Sequence, residues 1–160
     1  MSDERIDIDQ MIINEWRELG FYYDLEVNND SKEWRFYGTK DGLKKFVDIL
    51  DKYVTNPVNE ALSEHDHYGP YGYLKIMTWD KPIITENYIA GSLNDLNYLK
   101  NLLNKMLSEV AIGESFDVAE YYGSGNGAAA KFFVMPDPFD PVIMDKSQPI
   151  VNKYLQQRGI

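Results

Sequence analysis

The chain has 160 residues, no cysteine, 44% hydrophobic and 14% aromatic side chains, and a net charge of -10 from 16 basic and 26 acidic residues. That length suits one domain with its own core, and the missing cysteine excludes disulfides and thiolate metal clusters. The acidity speaks against nucleic acid and anionic membrane as partners and in favour of basic proteins.

"MSDERIDIDQ" does not read as a signal peptide, and no apolar run approaches the roughly 20 residues of a membrane span, so a cytoplasmic location is expected. Ile8, Met11, Ile12, Trp16 and Leu19 then recur at helical spacing ahead of Gly20, predicting an N-terminal helix within residues 1–20. "FYYDLEV" and "EWRFYG" follow as strands around the turn-forming "NNDS". Thr39 caps a helix with Leu43, Phe46, Val47, Leu50 and Val54 on one stripe, ended by Pro57. The polar "NPVNEALSEHDHYGP" reads as a loop leading into the strand "YGYLKIMTW", and "IITENYIAG" reads as a further strand. Ser92 and Asp95 form a capping box for a helix carrying Leu96, Leu99, Leu103, Met106 and Val110. "SFDVAEYY" and "AAKFFVM" are the last strands, on either side of "GSGNG".

The expected fold is α+β, a two-layer sandwich in which a mainly antiparallel sheet of about six strands carries two principal helices on one face, plus the N-terminal helix. Residues 21–135 would form its core, and residues 136–160, with four prolines, an irregular arm with a short helix near Tyr154. The halves echo each other loosely: strand, "YGT" or "AGS", amphipathic helix, then an aromatic strand.

Alternation divides the strands into an aliphatic face and an aromatic, charged one. Leu74 and Ile76 oppose Tyr73, Lys75, Met77 and Trp79. Trp34 and Phe36 alternate with Arg35 and Tyr37, while Tyr22, Asp24 and Glu26 alternate with Phe21, Tyr23 and Leu25. A face rich in Tyr, Trp, Met and Arg has the composition of an interface hot spot. It serves for contact unless the N-terminal helix or the arm covers it.

Three stretches invite chemical readings. His65 and His67, two apart, point the same way on extended backbone. They are a candidate metal pair that needs a further ligand, or a general-base centre beside Glu64 or Asp66, or simply histidines hydrogen-bonded to their surroundings. "GSGNG" lacks the Lys-Ser/Thr ending and the following helix of a phosphate loop, and a hairpin turn accounts for it. "YGPYGY" combines Pro70 with Gly69 and Gly72 into a rigid aromatic loop, either a structural corner or a preorganised contact. No serine or cysteine sits in a nucleophile elbow and no cofactor is implied.

"NEWRELGFYYD", "EWRFYGTKDGL", "SEHDHYGPYGYLKIMTW", "AGSLNDL" and "FDP" together resemble a group of small bacterial proteins similar to the immunity proteins of polymorphic toxin systems. The resemblance runs from about Asn14 to about Met144 and leaves "SQPIVNKYLQQRGI" outside. It implies a stoichiometric inhibitor that binds a basic toxin, such as a secreted nuclease, by electrostatic steering. The contact residues expected are Arg35, Tyr37, Tyr73, Lys75 and Trp79, with Glu86 and Tyr88 on the neighbouring strand. The competing expectations are a hydrolase or metal-dependent enzyme centred on His65 and His67, and a homodimer using the aromatic face on itself.

Overall fold

A computed structural model describes residues 3–29, 31–123 and 127–145, with side chains from Gln10 onward. The elements are α1 (Asp3–Leu19), β1 (Tyr22–Val27), β2 (Lys32–Gly38), α2 (Lys40–Thr55), β3 (His65–Tyr68), β4 (Leu74–Thr78), β5 (Ile83–Ile84), β6 (Ile89–Gly91), α3 (Leu93–Glu109), β7 (Ser115–Asp117) and β8 (Ala129–Val134). Single 3-10 turns occupy Pro57–Glu60, Pro70–Gly72 and Pro141–Met144. The tips of "NNDS" and "GSGNG", and the expected helix near Tyr154, lie wholly or partly outside the described residues.

The caps behave as their sequences require. Gly20 ends α1 at φ 88, its N–H on the Trp16 carbonyl. The Thr39 hydroxyl accepts from the Gly42 N–H, and Ser92 and Asp95 close the capping box of α3.

The class is α+β, but the strands divide into two mixed sheets of four rather than one antiparallel sheet of about six. One sheet runs β1-β2-β8-β7 and the other β3-β4-β6-β5. In each, a parallel central pair (β2 with β8, β4 with β6) is flanked by antiparallel partners. The units β1-β2-α2-β3-β4 and β5-β6-α3-β7-β8 therefore repeat one topology, and each sheet takes one hairpin from each unit.

Hydrogen bonds at matching places support the repeat. Met135 N–H donates to the Gly38 carbonyl as Trp79 N–H donates to that of Gly91. Thr78 pairs with Ser63 and Glu64 as Val134 pairs with Gly113 and Glu114. The turns that precede β3 and β7 both pass through positive φ, at Ser63 (φ 73) and Gly113 (φ 92).

The sequence reading needs four local corrections. "HDHY" is an edge strand, not a loop. "IITENYIAG" is two short strands, because the Thr85 hydroxyl accepts from the N–H groups of Asn87 and Tyr88 and turns the chain. Met11, assigned to the apolar stripe of α1, is exposed, whereas Ile13 is buried. The inner face of the second sheet is aliphatic, with Leu74 and Ile76 fully buried, but that of the first is aromatic: Trp34, Phe36 and Phe132 are fully buried, with Phe36 and Phe132 stacked at 4.5 Å between ring centroids.

One buried cluster among the described residues joins α1, α2, α3 and both sheets, including Trp16, Phe46, Ile76, Leu99 and Phe132. Each such side chain contributes about 1.5–3 kcal/mol of transfer free energy. The helices α2 and α3 pack against each other. The core also reaches past residue 135, since Val142 in the arm is fully buried.

A polar knot ties α2 to β4. The Tyr53 hydroxyl lies 2.8 Å from the Glu64 carbonyl and 2.7 Å from Thr78 Oγ1, and Asn59 Nδ2 donates to the Tyr53 carbonyl at 2.8 Å. Tyr53→Phe removes one of two donors on the Glu64 carbonyl, which keeps the Thr78 N–H, and takes a partner from the Thr78 hydroxyl; it should cost about 1 kcal/mol in a chemical denaturation experiment. A change within error would mean that the Thr78 N–H alone satisfies the Glu64 carbonyl and that the hydroxyl adds nothing to the knot.

Candidate functional site

Side chains of β1 and β2 tie the first sheet to the second. The Trp34 Nε1–H donates to the Thr85 carbonyl at 2.7 Å, and Lys32 pairs with Glu86 at 2.7 Å, fixing the β5–β6 turn to β2. The Tyr23 hydroxyl lies 2.7 Å from the Pro70 carbonyl, which fixes the 69–72 loop to β1, and burial pushes this phenol up to about 12. Between these ties opens a groove of about 1190 Å³. Tyr22, Asp24, Leu25 and Trp34 line its wall on one sheet; His67, Tyr71, Tyr73, Lys75, Glu86 and Tyr88 line the other; Trp16, Met144 and Asp145 close the end.

Its end is rigidly built. Asp145, 2% exposed, takes the Trp16 Nε1–H at 2.8 Å and the Tyr71 hydroxyl at 2.6 Å on one oxygen. Tyr71 holds φ 69, a left-handed backbone uncommon for a tyrosine, and its ring stacks on Tyr73 at 5.8 Å. Tyr73 stands 68% exposed at the rim, and Lys75 Nζ lies 5.8 Å from the centre of the Tyr88 ring. The "YGPYGY" loop is thus a structural corner that also presents two stacked tyrosines.

Asp24 is the anomaly. Its Oδ1 is buried and has no hydrogen-bond partner among the described residues. Arg35 faces it across the ladder, but the guanidinium is engaged elsewhere, 2.6 Å from Glu33 and 4.0 Å from Glu26. Burial holds the Asp24 carboxyl above its ordinary range, Arg35 pulls it down, and Glu26 and Glu33 push it further up.

The structure brings Tyr73, Lys75, Glu86 and Tyr88 together in the groove. Arg35 and Tyr37 sit on the outer face of β2, outside the groove, Arg35 in its ion pairs and Tyr37 stacked on Phe133 at 4.7 Å. Trp79 lies half-buried just past β4 and does not line the groove either. Sequence reasoning missed Asp24, Tyr22, Tyr71 and Asp145 as groove residues. Alternation puts Tyr22 and Asp24 on the same face as Arg35 and Tyr37, and nothing local shows that Arg35 turns to Glu33 instead of Asp24. Among the described residues no set of three His, Asp or Glu side chains could hold a metal ion, so His65 and His67 gain no third protein ligand.

No protein-family model matches the chain, and neither a curated protein nor a solved structure does. No helix among the described residues is long and apolar enough to cross a membrane.

Proposed function

We propose that this protein is an immunity-type inhibitor that neutralises a basic toxin by receiving one of its cationic side chains in the groove. Asp24 carries the reading. A buried carboxylate oxygen without a donor, walled by tyrosines, is costly in the free protein and becomes satisfied when an Arg or Lys of a partner enters. Stacked Tyr71 and Tyr73 supply the amphipathic contact area found at interface hot spots, and the charge of -10 speeds the encounter with a basic surface. A zinc hydrolase at His65 and His67 fits less well, because catalytic zinc takes three protein ligands and the described residues offer two.

The test is capture of the tagged protein with its partner from lysate of its source, followed by co-expression with that partner. One basic protein in equimolar yield, whose toxicity is relieved by co-expression and whose retention falls as salt rises, supports the proposal. Recovery of the chain alone at twice its mass would replace it with a homodimer. Tyr73→Ala should weaken binding about fivefold, near 1 kcal/mol, measured by calorimetry against the purified partner. Undiminished affinity would remove the 71–73 rim from the interface.

A further inference from the structure

We infer that His65 and His67 form a surface site for one borderline divalent ion of the zinc, nickel and copper class. Both rings are exposed on β3, the edge strand of its sheet, and stand on one face opposite Met77 and Lys75. Their tautomer is fixed by the backbone. His65 Nδ1 lies 2.9 Å from the Ser63 carbonyl, and His67 Nδ1 lies 2.9 Å from the Gly72 carbonyl. A carbonyl oxygen only accepts, so each Nδ1 carries the hydrogen, and each neutral ring is left with a bare lone pair on Nε2. That is the arrangement of metal-binding histidines, in which a carbonyl holds one ring nitrogen so that the other can ligate.

The spacing agrees with a shared ion. The ring centroids are 5.3 Å apart with planes at 88°. Two imidazoles on one tetrahedral ion at about 2.1 Å place their ring centres roughly 5 Å apart. The orienting carbonyls belong to residues in the left-handed region, Ser63 at φ 73 and Gly72 at φ 66. For Ser63 this backbone is strained, as at many ligand-holding positions. The equivalent strand β7, preceded by the same kind of turn at Gly113, carries Ser115 and Asp117 instead, so the repeated framework does not by itself require the imidazoles. Lys75, opposite His67, extends over the Tyr88 ring.

Two nitrogen ligands suit this metal class and exclude the oxygen-seeking magnesium and calcium ions. The remaining positions are open to water or to a donor from another molecule. The site does not depend on the inhibitor reading, because it uses the free chain alone.

The experiment is calorimetric titration of tag-free protein with Zn²⁺, Ni²⁺ and Cu²⁺, together with nitrogen-15 NMR of the two rings. Before metal, both rings should show hydrogen on Nδ1, and metal should move the Nε2 signals. One ion per chain is expected, Cu²⁺ tightest, with Mg²⁺ giving no heat. His65→Ala and His67→Ala should each weaken binding about tenfold or more without changing the circular dichroism. Rings with hydrogen on Nε2 in the free protein, or uptake that survives the double variant, would overturn the assignment.

Discussion

Gly91→Ala should destabilise the protein by about 3 kcal/mol, lowering the melting temperature by roughly 6–12 °C. Gly91 ends β6 immediately before the Ser92 cap, where strand and helix come closest. A Cβ there would fall on the Tyr122 hydroxyl and lie 2.8 Å from Asp95 Cβ. Neither neighbour can give freely. The Tyr122 hydroxyl donates to the Ala90 carbonyl at 2.7 Å in a buried place, and Asp95 closes the capping box by accepting the Ser92 N–H at 3.1 Å. A methyl group therefore strains a buried hydrogen bond and a helix cap together.

A double variant identifies the cause. Tyr122→Phe alone should cost about 1 kcal/mol, because it removes the buried hydrogen bond to the Ala90 carbonyl. In the Gly91→Ala background the same change removes the clashing oxygen, so it should cost less or even restore stability. Strict additivity in thermal melts would show that the hydroxyl is not what the new methyl meets.

How much of this was legible depends on how local the cause was. Thr39, Ser92, Asp95 and Gly20 act within a few residues of themselves, and they mark the helix ends correctly. Trp34 and Phe36 announce β2 by alternation, as Ala130 and Phe132 do β8. "HDHY" escaped because all four residues are polar or amphipathic: an edge strand with one wet face gives no apolar period to read. The division into two sheets is set by parallel pairing between residues as distant as Phe36 and Phe132, which no local pattern encodes. The echo of "YGT" and "AGS" has a second part. "ALSE" at 61–64 and "AIGE" at 111–114 precede β3 and β7 as "GT" and "GS" precede the two helices, and together they would have suggested the interlocked repeat. The groove is the least local feature of all. It joins β1, the 71–73 loop, the β5–β6 turn and Asp145, and its central anomaly arises from a choice between two carboxylates by Arg35.

Asp24→Asn should stabilise the free protein at neutral pH and weaken its hold on the partner, two effects of opposite sign from one substitution. Because burial raises the folded-state pKa of Asp24, the native chain binds this proton more tightly than the unfolded chain does. The stability that proton contributes is fully present below the unfolded carboxyl value, about 3.9, and is lost as pH rises through the raised native value. Above that raised value the wild type has lost it, and a neutral amide of the same shape has nothing to lose. The gain should be modest, about 1 kcal/mol at most, since the group is half-buried and water screens part of its charge. It should shrink to nothing as the pH falls toward 3. In the complex the sign reverses, because the cation that satisfies the wild-type carboxylate meets an uncharged amide in the variant. The loss should be about 2 kcal/mol or more, roughly thirtyfold in Kd. Forming the pair draws the Asp24 pKa back down, so binding releases a proton and wild-type affinity climbs with pH through the raised value, a dependence the variant should lack. Thermal melts from pH 3 to 8 and calorimetry in two buffers measure both arms. A variant less stable at pH 7 with unchanged affinity would show that Asp24 is a structural acid and that the cation enters elsewhere.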